Sequence, residues 1–422
     1  MDPIDLAAAF NRDCHCMAVD RDSLDAELAA DLEDRELARA LRSTHRDLFA
    51  SFPVFLSKRH LAAMRRVVAA VEAATRTAGF RDAVAERSGH RRPEWCSPPL
   101  LGFDFHLPDE PSASPQLIEI NTNPGGVLLA LYAARAQRAC CAEVEEMQTG
   151  GPRGAVVEAA LAGMVREAAG AADGRPLVAA IVDEDPASQF LYPELLLYRR
   201  LFARHDIDAG IADPSALQPH GGRLVLDGRP LDVVYNRLTD FALEQPQCVA
   251  LGEAWRSGRL GLTPSPWDHA LYADKRNFAA LSDADRLRRW NLPEETIAAL
   301  VASVPGTQEV APERAAELWE QRRSLFFKPA TGYGSRGAYD GAKLTRKTFE
   351  QILASRYVAQ RRVAPSERVL VIDGERRPLK VDLRCVTWKE DVLMVLARLY
   401  RGQTTNLRTE GGGLATVFLV EP

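Results

Sequence analysis

The spacing of apolar residues predicts that the first third of the chain is mainly helical. Between residues 24 and 86, leucines recur at helical intervals, and Phe52-Pro53 interrupts the pattern. We therefore expect at least two helices that pack on one face of a sheet. Further helices are predicted over about 127–147 and 154–170, with the loop TGGPRG between them.

Two short strands are predicted over 102–107 and 116–121, joined by a turn rich in proline, serine and aspartate. Because side chains alternate across a strand, Asp104, Glu119 and Asn121 can converge at one spot if the strands pair. Two carboxylates and an amide oxygen form an oxygen-only site of the kind that Mg²⁺ prefers. The alternative is a hairpin whose acidic face is solvated.

From residue 177 onward the pattern is typical of a parallel sheet. The apolar run LVAAIV at 177–182 resembles a strand covered on both faces, and a helical segment over 192–204 and a strand over 207–211 follow it. Two further strands, separated by a turn at Asp227-Gly228, end in DVVYN. This order predicts a small α/β domain over about 175–262 with a mostly parallel sheet.

Arg237 and Asp240 follow DVVYN at a strand end, which is where ligands of open α/β sheets tend to bind. Arg237 could clamp a substrate carboxylate, and Asp240 could steady an incoming ammonium group. The alternatives are a surface ion pair for the arginine and a solvated turn for the aspartate.

Beyond the linker LTPSP, the chain carries two lysines and a glycine-rich loop. Lys275 precedes a helical stretch, and Lys328 lies on the predicted strand LFFKP. The loop that follows contains Gly332, Tyr333, Gly334, Ser335 and Gly337. Glycines let the backbone approach an anion closely, and a strand-borne lysine can bridge phosphate oxygens. We interpret the loop as a nucleotide lid; an ordinary hairpin turn is the alternative, and neither a P-loop nor a Rossmann glycine motif is present.

Composition narrows the range of partners. The 422 residues include 46% hydrophobic and 26% charged residues, which suits a globular protein of about two to three domains. A net charge of −5 gives no bulk electrostatic reason to bind nucleic acid or an anionic membrane. The acidic N-terminus does not resemble a signal peptide, and an odd count of seven cysteines fits a reducing compartment. We therefore expect a cytoplasmic protein that binds neither nucleic acid nor membrane.

Taken as an ordered set, these motifs resemble the ATP-grasp superfamily of carboxylate–amine ligases. Those proteins have one lysine before a helix and a second before a glycine-rich flap, followed by a hinge strand that holds adenine. An aspartate-x-arginine strand comes next, and then an arginine and an asparagine before a glycine run. The matching residues here are, in that order, Lys275; Lys328 with 332–337; Gln360, Arg361 and Val363; Asp382 and Arg384; Arg398, Asn406 and 411–413.

The aspartate strand and the E-x-N strand that usually end such proteins stand first in this chain, at Asp104 and at 119–121. The chain therefore looks circularly permuted over residues 100–422, in an order similar to that of the eukaryotic-type glutathione synthetases. In those enzymes the loop after the second lysine supplies an acidic metal ligand, whereas PATG at 329–332 has none. The resemblance thus leaves the metal site to Asp104, Glu119 and Asn121.

The resemblance implies an α/β (α+β) ATP-grasp fold, circularly permuted, with a small Rossmann-like substrate domain and an N-terminal helical region. Residues 1–174 would form the helical region together with the metal-binding strands at 102–126. Residues 175–262 would form the substrate domain, and residues 263–422 the nucleotide-binding subdomains with their lid. The oligomeric state is left open, with a homodimer as one option.

The same resemblance implies a two-step reaction with ATP and Mg²⁺ as cofactors. A small-molecule carboxylate, amino acid-like or peptide-like, is phosphorylated, and an amine attacks the acyl phosphate to form an amide. Lys275 and Lys328 would hold phosphates, and Asn406 would support metal or phosphate. Lys328, Arg384 and Arg398 are the expected catalytic residues, with the arginines facing the transferring phosphoryl group or the acceptor carboxylate. The alternatives are an ATP-grasp kinase acting on a small molecule and a nucleotide-binding protein without turnover.

Overall fold

The fold was analysed in a computed structural model of the chain. The structure describes residues 2–15, 19, 21–32, 41, 45, 47–91, 93, 97–108, 113–136, 154–171, 174–332, 334, 336–372 and 374–421. Within these ranges, no helix is both long enough and apolar enough to cross a lipid bilayer.

The helices of the described residues surround several separate sheets. They are α1 (Pro3–Asp13), α2 (Arg21–Leu32), α3 (Lys58–Arg76), α4 (Ala78–Ser88), α5 (Val127–Arg135), α6 (Gly154–Ala168), α7 (Tyr192–Ala203), α8 (Val249–Arg256), α9 (Pro266–Asp268, continued by the π-helix His269–Ala273), α10 (Asn277–Leu281), α11 (Ala284–Arg289), α12 (Glu294–Ser303), α13 (Ala315–Gln321) and α14 (Arg346–Leu353).

The strands follow the same chain order. They are β1 (Val54–Ser57), β2 (Leu100–His106), β3 (Gln116–Asn121), β4 (Leu177–Val182), β5 (Ile207–Ala212), β6 (Gln218–His220), β7 (Arg223–Leu226), β8 (Arg229–Pro230), β9 (Val233–Asn236), β10 (Gly261–Thr263), β11 (Thr307–Glu309), β12 (Leu325–Pro329), β13 (Tyr339–Asp340), β14 (Tyr357–Arg361), β15 (Glu367–Ile372), β16 (Glu375–Trp388), β17 (Asp391–Tyr400), β18 (Gly413–Ala415) and β19 (Val417–Val420).

A six-stranded antiparallel sheet forms the centre, in the order β18-β17-β16-β2-β3, with β15 paired to the first half of β16. The predicted hairpin of 102–107 and 116–121 is present as β2 and β3, and Asp104 lies opposite Glu119. On the other side of β2, strand β16 sets Arg384 opposite Asp104. Residues from distant parts of the sequence therefore become neighbours on one sheet.

Alternation along β2 divides its side chains between two environments. Phe103 and Phe105 are fully buried in a core cluster that also contains Val67 and Val71 of α3. Asp104 lies between these two phenylalanines in sequence and therefore points to the opposite face of the sheet. The apolar face thus belongs to the same hydrophobic core as α3 and leaves the other face to polar residues.

The helical pattern predicted between 24 and 86 corresponds to α2, α3 and α4, although residues 33–40 and 42–44 lie outside the described residues. The helices α3 and α4 are separate because Thr77 ends the first and caps the second: its hydroxyl donates to the Ala74 carbonyl and accepts from the Phe80 amide. The helix predicted over 127–147 begins at Val127, and its part beyond 136 lies outside the described residues.

Two further sheets match the predicted organisation. Strands β10-β9-β4-β5 are all parallel and lie within 175–263, so a parallel sheet is present as predicted, but the strand predicted at 224–226 is β7 and belongs to a separate antiparallel sheet, β6-β7-β8. Strands β11-β14-β12-β13 form an antiparallel sheet that carries Lys328 on β12. The parallel pair β1 and β19 joins the N-terminal and C-terminal parts of the chain.

Candidate functional site

A cavity of about 1000 Å³ is lined by the polar face of the central sheet and by residues of β12 and β14. It brings together most of the residues predicted to form a site: Asp104, Glu119, Asn121, Lys275, Lys328, Gly332, Gly334, Gln360, Arg361, Val363, Arg384, Arg398 and Asn406. Arg237, Asp240 and Gly337 are not among its lining residues. Tyr333 and Ser335 lie outside the described residues.

The carboxylate of Asp104 lies at the centre of a buried hydrogen-bond cluster. Its Oδ1 accepts from Arg384 Nε at 2.6 Å. Its Oδ2 accepts from Arg384 Nη2 at 2.8 Å, Arg398 Nη2 at 2.7 Å and Asn121 Nδ2 at 2.9 Å. Burial alone would raise the pKa of Asp104, but the two guanidinium groups outweigh it and hold the pKa at about 2. Asp104 is therefore ionised and fully engaged by its neighbours.

These contacts distinguish Asp104 from the other two predicted metal ligands, Glu119 and Asn121. Both oxygens of Asp104 already accept hydrogen bonds, which leaves Asp104 poorly placed to act as a third ligand. Asn121 directs its amide nitrogen toward Asp104, and its carbonyl oxygen remains as a potential ligand. Glu119 and Asn121 together fit Mg²⁺, which is often held by one or two protein oxygens and by substrate phosphates. No cluster of three or more His, Cys, Asp or Glu suited to a metal occurs in the described part of the chain, so the metal assignment stays a prediction.

Both predicted lysines contact the hairpin, Lys275 from the turn before α10 and Lys328 from strand β12 of another sheet. Lys275 Nζ lies 3.0 Å from Glu119 Oε1 and donates to the Gly332 carbonyl at 2.8 Å. Lys328 Nζ donates to the Ile118 carbonyl at 2.8 Å, although 210 positions separate the two residues. Burial lowers the pKa of Lys328 to about 8, and the Glu119 carboxylate opposes that shift. The predicted juxtaposition of hairpin and lysines is thus present.

Strand β14 and the residues after it approach the opposite end of the hairpin. The Gln360 side chain accepts from Lys328 Nζ at 2.8 Å, and Arg361 Nη2 donates to Gln116 Oε1 at 2.8 Å. The Val363 carbonyl accepts from His106 Nδ1 at 3.1 Å. Burial lowers the pKa of His106, so the ring is neutral and donates through Nδ1. The segment predicted to hold adenine is therefore fixed against both strands of the hairpin.

Sequence reasoning assigned no role to His106, although its spacing from Asp104 on one strand places both side chains on the same face. For Arg384 and Arg398 the sequence also leaves open buried ion pairs with Asp382 or with glutamates. In the structure Arg398 Nη2 lies 2.8 Å from Asp382 Oδ2, which also accepts from Thr405 Oγ1 at 2.8 Å. The carboxylates of Asp104 and Asp382 thus hold the predicted catalytic arginines in buried ion pairs.

Asn406 lines the cleft, but its side chain mainly stabilises its own loop. The amide nitrogen donates to the Arg401 carbonyl at 3.1 Å, and the amide oxygen accepts from Arg408 N at 3.0 Å and Thr409 Oγ1 at 2.9 Å. Its predicted contact with metal or phosphate stays a prediction, and the structure shows it as a turn-forming residue.

The predicted substrate residues Arg237 and Asp240 have local roles in the structure. Arg237 Nη1 donates to the Tyr235 hydroxyl at 3.2 Å, and Tyr235 and Glu194 raise the pKa of Arg237 against the effect of burial. Glu194 accepts from the backbone amides of Gly126 and Leu128 and so caps α5. Arg237 therefore interacts electrostatically with the carboxylate that caps α5.

Asp240 closes its own turn by accepting from the Gln245 amide at 2.8 Å. This contact matches the alternative of a turn residue more closely than that of an ammonium site. A substrate role for either Arg237 or Asp240 stays a prediction, because both lie outside the lining of the cleft.

Comparisons with known proteins bear on the fold. No protein-family model matches the chain, and no curated protein matches it. Among solved structures, a glutathione synthetase-like effector from Globodera pallida in its apo form matches over 88% of this chain and 90% of its own, with 11% identity and a TM-score of 0.56. A protein from Methylobacillus flagellatus named for gamma-glutamylcysteine synthetase matches over 84% of this chain and 86% of its own, with 11% identity and a TM-score of 0.49. The ATP-grasp ligase PsnB, complexed with minimal precursor, Mg and ADP, matches over 57% of this chain and 88% of its own, with 15% identity and a TM-score of 0.29.

The first of these matches spans most of both chains and shows that this chain has the fold of the glutathione synthetase-like effector, the type of fold that the sequence predicts. The other two have TM-scores below 0.5 and add nothing to that conclusion. At 11% identity the likeness concerns the architecture.

Proposed function

We propose that this chain is an ATP-dependent ligase that joins a small carboxylate, amino acid-like or peptide-like, to an amine through an acyl phosphate. The observation that carries the proposal is the convergence of two lysine side chains on neighbouring residues of strand β3, beside the proposed metal ligands Glu119 and Asn121. Lys275 contacts Glu119, and Lys328 contacts the adjoining Ile118 carbonyl. Concentrated positive charge beside oxygen ligands is what a magnesium–nucleoside triphosphate complex requires. The glutathione synthetase-like fold supports the same assignment.

Each side chain then has a defined task. Glu119 and Asn121 would hold Mg²⁺, which neutralises charge on the β- and γ-phosphates when bound. Lys275 and Lys328 would bind the α- and β-phosphate oxygens. The flap at 332–337 would exclude water, because water would hydrolyse an acyl phosphate.

The arginines act in phosphoryl transfer. In the first step a substrate carboxylate oxygen attacks the γ-phosphorus, the bond to the β–γ bridging oxygen breaks, and ADP leaves. Arg384 and Arg398, held by Asp104, stabilise the charge on the transferring phosphoryl oxygens. In the second step the amine nitrogen attacks the acyl carbon, the carbon–oxygen bond to phosphate breaks, and the amine proton leaves with phosphate or solvent.

Substrate-dependent release of ADP tests the proposal, with an array of amino acids and small peptides as acids and amines. The expected result is ADP release that requires both substrates, together with a hydroxamate when hydroxylamine replaces the amine. A phosphorylated product without hydroxamate would indicate a kinase instead. Binding of Mg-ATP without turnover across the array would indicate a nucleotide-binding protein.

A further inference from the structure

Helix α1 is tied to the rest of the molecule at its C-terminal end. Arg368 of β15 is fully buried, and its guanidinium donates to the carbonyl oxygens of Asn11 at 2.8 Å, Cys14 at 2.5 Å and Pro53 at 2.8 Å. A cation beside the C-terminal carbonyls of a helix is electrostatically favourable. The Asn11 side chain also pairs with the backbone of Phe55 in both directions, at 2.8 and 2.9 Å. These contacts hold α1 in one position.

The helix so held lines the cleft. Ile4, Ala7, Ala8 and Asn11 are lining residues, and so is the segment 363–367. That segment leads from β14 into β15, and α1 packs against β15. Because the side chains of the two alanines are small, the helix leaves space inside the cleft. The N-terminal helix, for which the sequence indicated no function, is therefore part of the cavity wall.

The register of β2 and β3 shows which end of the cleft lies near the predicted metal ligands and which end lies far from them. Asn121 marks the end with the predicted metal ligands. Toward the start of β3, Arg361 donates to Gln116, and the Val363 carbonyl accepts from His106, which lies opposite Gln116. Gln116 is five residues from Asn121, or about 16 Å along an extended strand. The predicted hinge strand, residues 360–363, therefore lies at the end of the cleft that is remote from the predicted metal ligands. Helix α1 lies beyond it at the same end.

His60 supplies a second observation at this end. It lies in the first turn of α3 and lines the cleft, its residue is 8% exposed, and its Nε2 has no hydrogen-bond partner among the described residues. Burial lowers the pKa of His60; Arg59 adds to this effect and Asp2 opposes it. The neutral ring thus keeps one polar atom without a protein partner, which suits contact with a ligand.

We infer that α1 forms a wall of the nucleoside end of the nucleotide site. The inference rests on the proposed function: with the phosphates held between Lys275 and Lys328, the base and ribose extend along the hinge toward α1. Ala8, which is exposed on α1, presents a small side chain to a planar base, and His60 offers a polar contact to the edge of the base or to a ribose hydroxyl. The ligand class is a nucleoside phosphate.

Replacement of Ala8 tests this inference. Ala8 is exposed on α1, so a larger side chain can be accommodated by the helix while it fills the cleft. Ala8→Trp is expected to raise the Kd for Mg-ADP by about tenfold or more. The Kd for Mg-tripolyphosphate is expected to stay unchanged, because that anion lacks a nucleoside. Titration calorimetry measures both, and Asp5→Trp, exposed on the same helix but not lining the cleft, should bind both like the unmodified protein.

Equal affinity of Ala8→Trp and the unmodified protein for Mg-ADP would overturn the inference about α1. Failure of the unmodified protein to bind Mg-ADP would instead overturn the proposed function. If thermal unfolding shows that Ala8→Trp does not fold, hydrogen exchange on the unmodified protein decides the question. Amides of 4–13 should then exchange more slowly with Mg-ADP than with Mg-tripolyphosphate, and equal protection by the two would contradict the inference.

Discussion

Arg384 of β16 and Arg398 of β17 both contact the buried carboxylate of Asp104. Arg384 forms a bidentate pair with it, and Arg398 bridges it to Asp382. A planar guanidinium held by two hydrogen bonds loses little further freedom when it meets a phosphoryl group. At the scale of the residue, Asp104 therefore orients the guanidinium groups of both arginines.

Asp104→Asn should preserve the shape of this cluster and remove its central charge. Loss of one partner of a buried ion pair leaves the other charges uncompensated, so we expect the free energy of unfolding to fall by about 3 kcal/mol. Urea denaturation at neutral pH measures the change. Asp285→Asn is a matched control, because Asp285 pairs with Arg288 on the exposed surface, and its loss should not be measurable. Equal effects of the two substitutions would contradict the role given to Asp104.

The same carboxylate should make stability depend on acid. Its pKa is about 2 in the folded protein, below the ordinary value of 3.8. A lowered carboxyl pKa contributes stability that is complete above the ordinary value and is lost as the pH falls toward the folded value. The difference in unfolding free energy between the unmodified protein and Asp104→Asn should therefore narrow from about pH 4 to about pH 2. If the difference in unfolding free energy stays constant over this pH range, the two arginines do not lower the pKa of Asp104.

Glu119→Gln tests the other carboxylate of the hairpin. The substitution keeps the side-chain shape but weakens both the contact with Lys275 and the proposed metal site. We expect ATP turnover to fall by about a hundredfold or more. Residues that only hydrogen-bond to a metal ligand already change metal affinity or activity by about tenfold to a hundredfold. Release of ADP measures turnover, and circular dichroism should show an intact fold. Exposed Glu295→Gln serves as the control, and near-normal turnover in folded Glu119→Gln would contradict the metal assignment.

At the scale of elements, two glycines of the flap offer a matched comparison. Gly334 and Gly337 both have left-handed backbone conformations, with φ of 57° and 69°. A Cβ at Gly334 would meet no atom within 4 Å, whereas one at Gly337 would lie 2.9 Å from the Tyr357 hydroxyl and 3.2 Å from Pro329 Cγ. Both positions disfavour alanine, and only Gly337 adds crowding against neighbouring elements.

We therefore expect Gly337→Ala to raise the KM for ATP by about tenfold more than Gly334→Ala. The physical reason is that the first substitution strains the flap and also displaces it from β12 and β14, which carry Pro329 and Tyr357. Steady-state kinetics with ATP as the varied substrate measures the effect. If both variants behave alike, backbone strain alone governs the flap.

Local patterns predicted those elements whose partners are close in sequence. The hairpin of β2 and β3 and the parallel sheet around LVAAIV followed from strand periodicity and turn residues. The arginine cluster could not be predicted in the same way, because Arg384 meets Asp104 across 280 positions and only the register of β16 on β2 sets that contact. The family resemblance placed the two residues in one site, and the metal role that the sequence gives Asp104 stays a prediction.

At the scale of the whole molecule, the two ends of the chain form one structural unit. Strand β1 pairs with β19 in parallel, and Phe55 and Phe418 lie in one cluster with Ala7 of α1. Nothing in the local sequence of α1 indicates the contact with Phe418, since that residue lies about four hundred positions further along the chain. The inferred nucleoside wall therefore depends on packing at the far end of the chain.

Phe418→Ala should test that dependence. Phe418 is 2% exposed, and its ring centroid lies 5.8 Å from that of Phe55. Truncation of a buried phenylalanine leaves a cavity, so we expect the free energy of unfolding to fall by about 3 kcal/mol. The half-buried neighbour Val417 provides the control, and Val417→Ala should cost about 1 kcal/mol. Because Ala7 shares the cluster, Phe418→Ala should also weaken binding of Mg-ADP more than binding of Mg-tripolyphosphate. Loss of stability with unchanged Mg-ADP affinity would show that the position of α1 does not depend on β19.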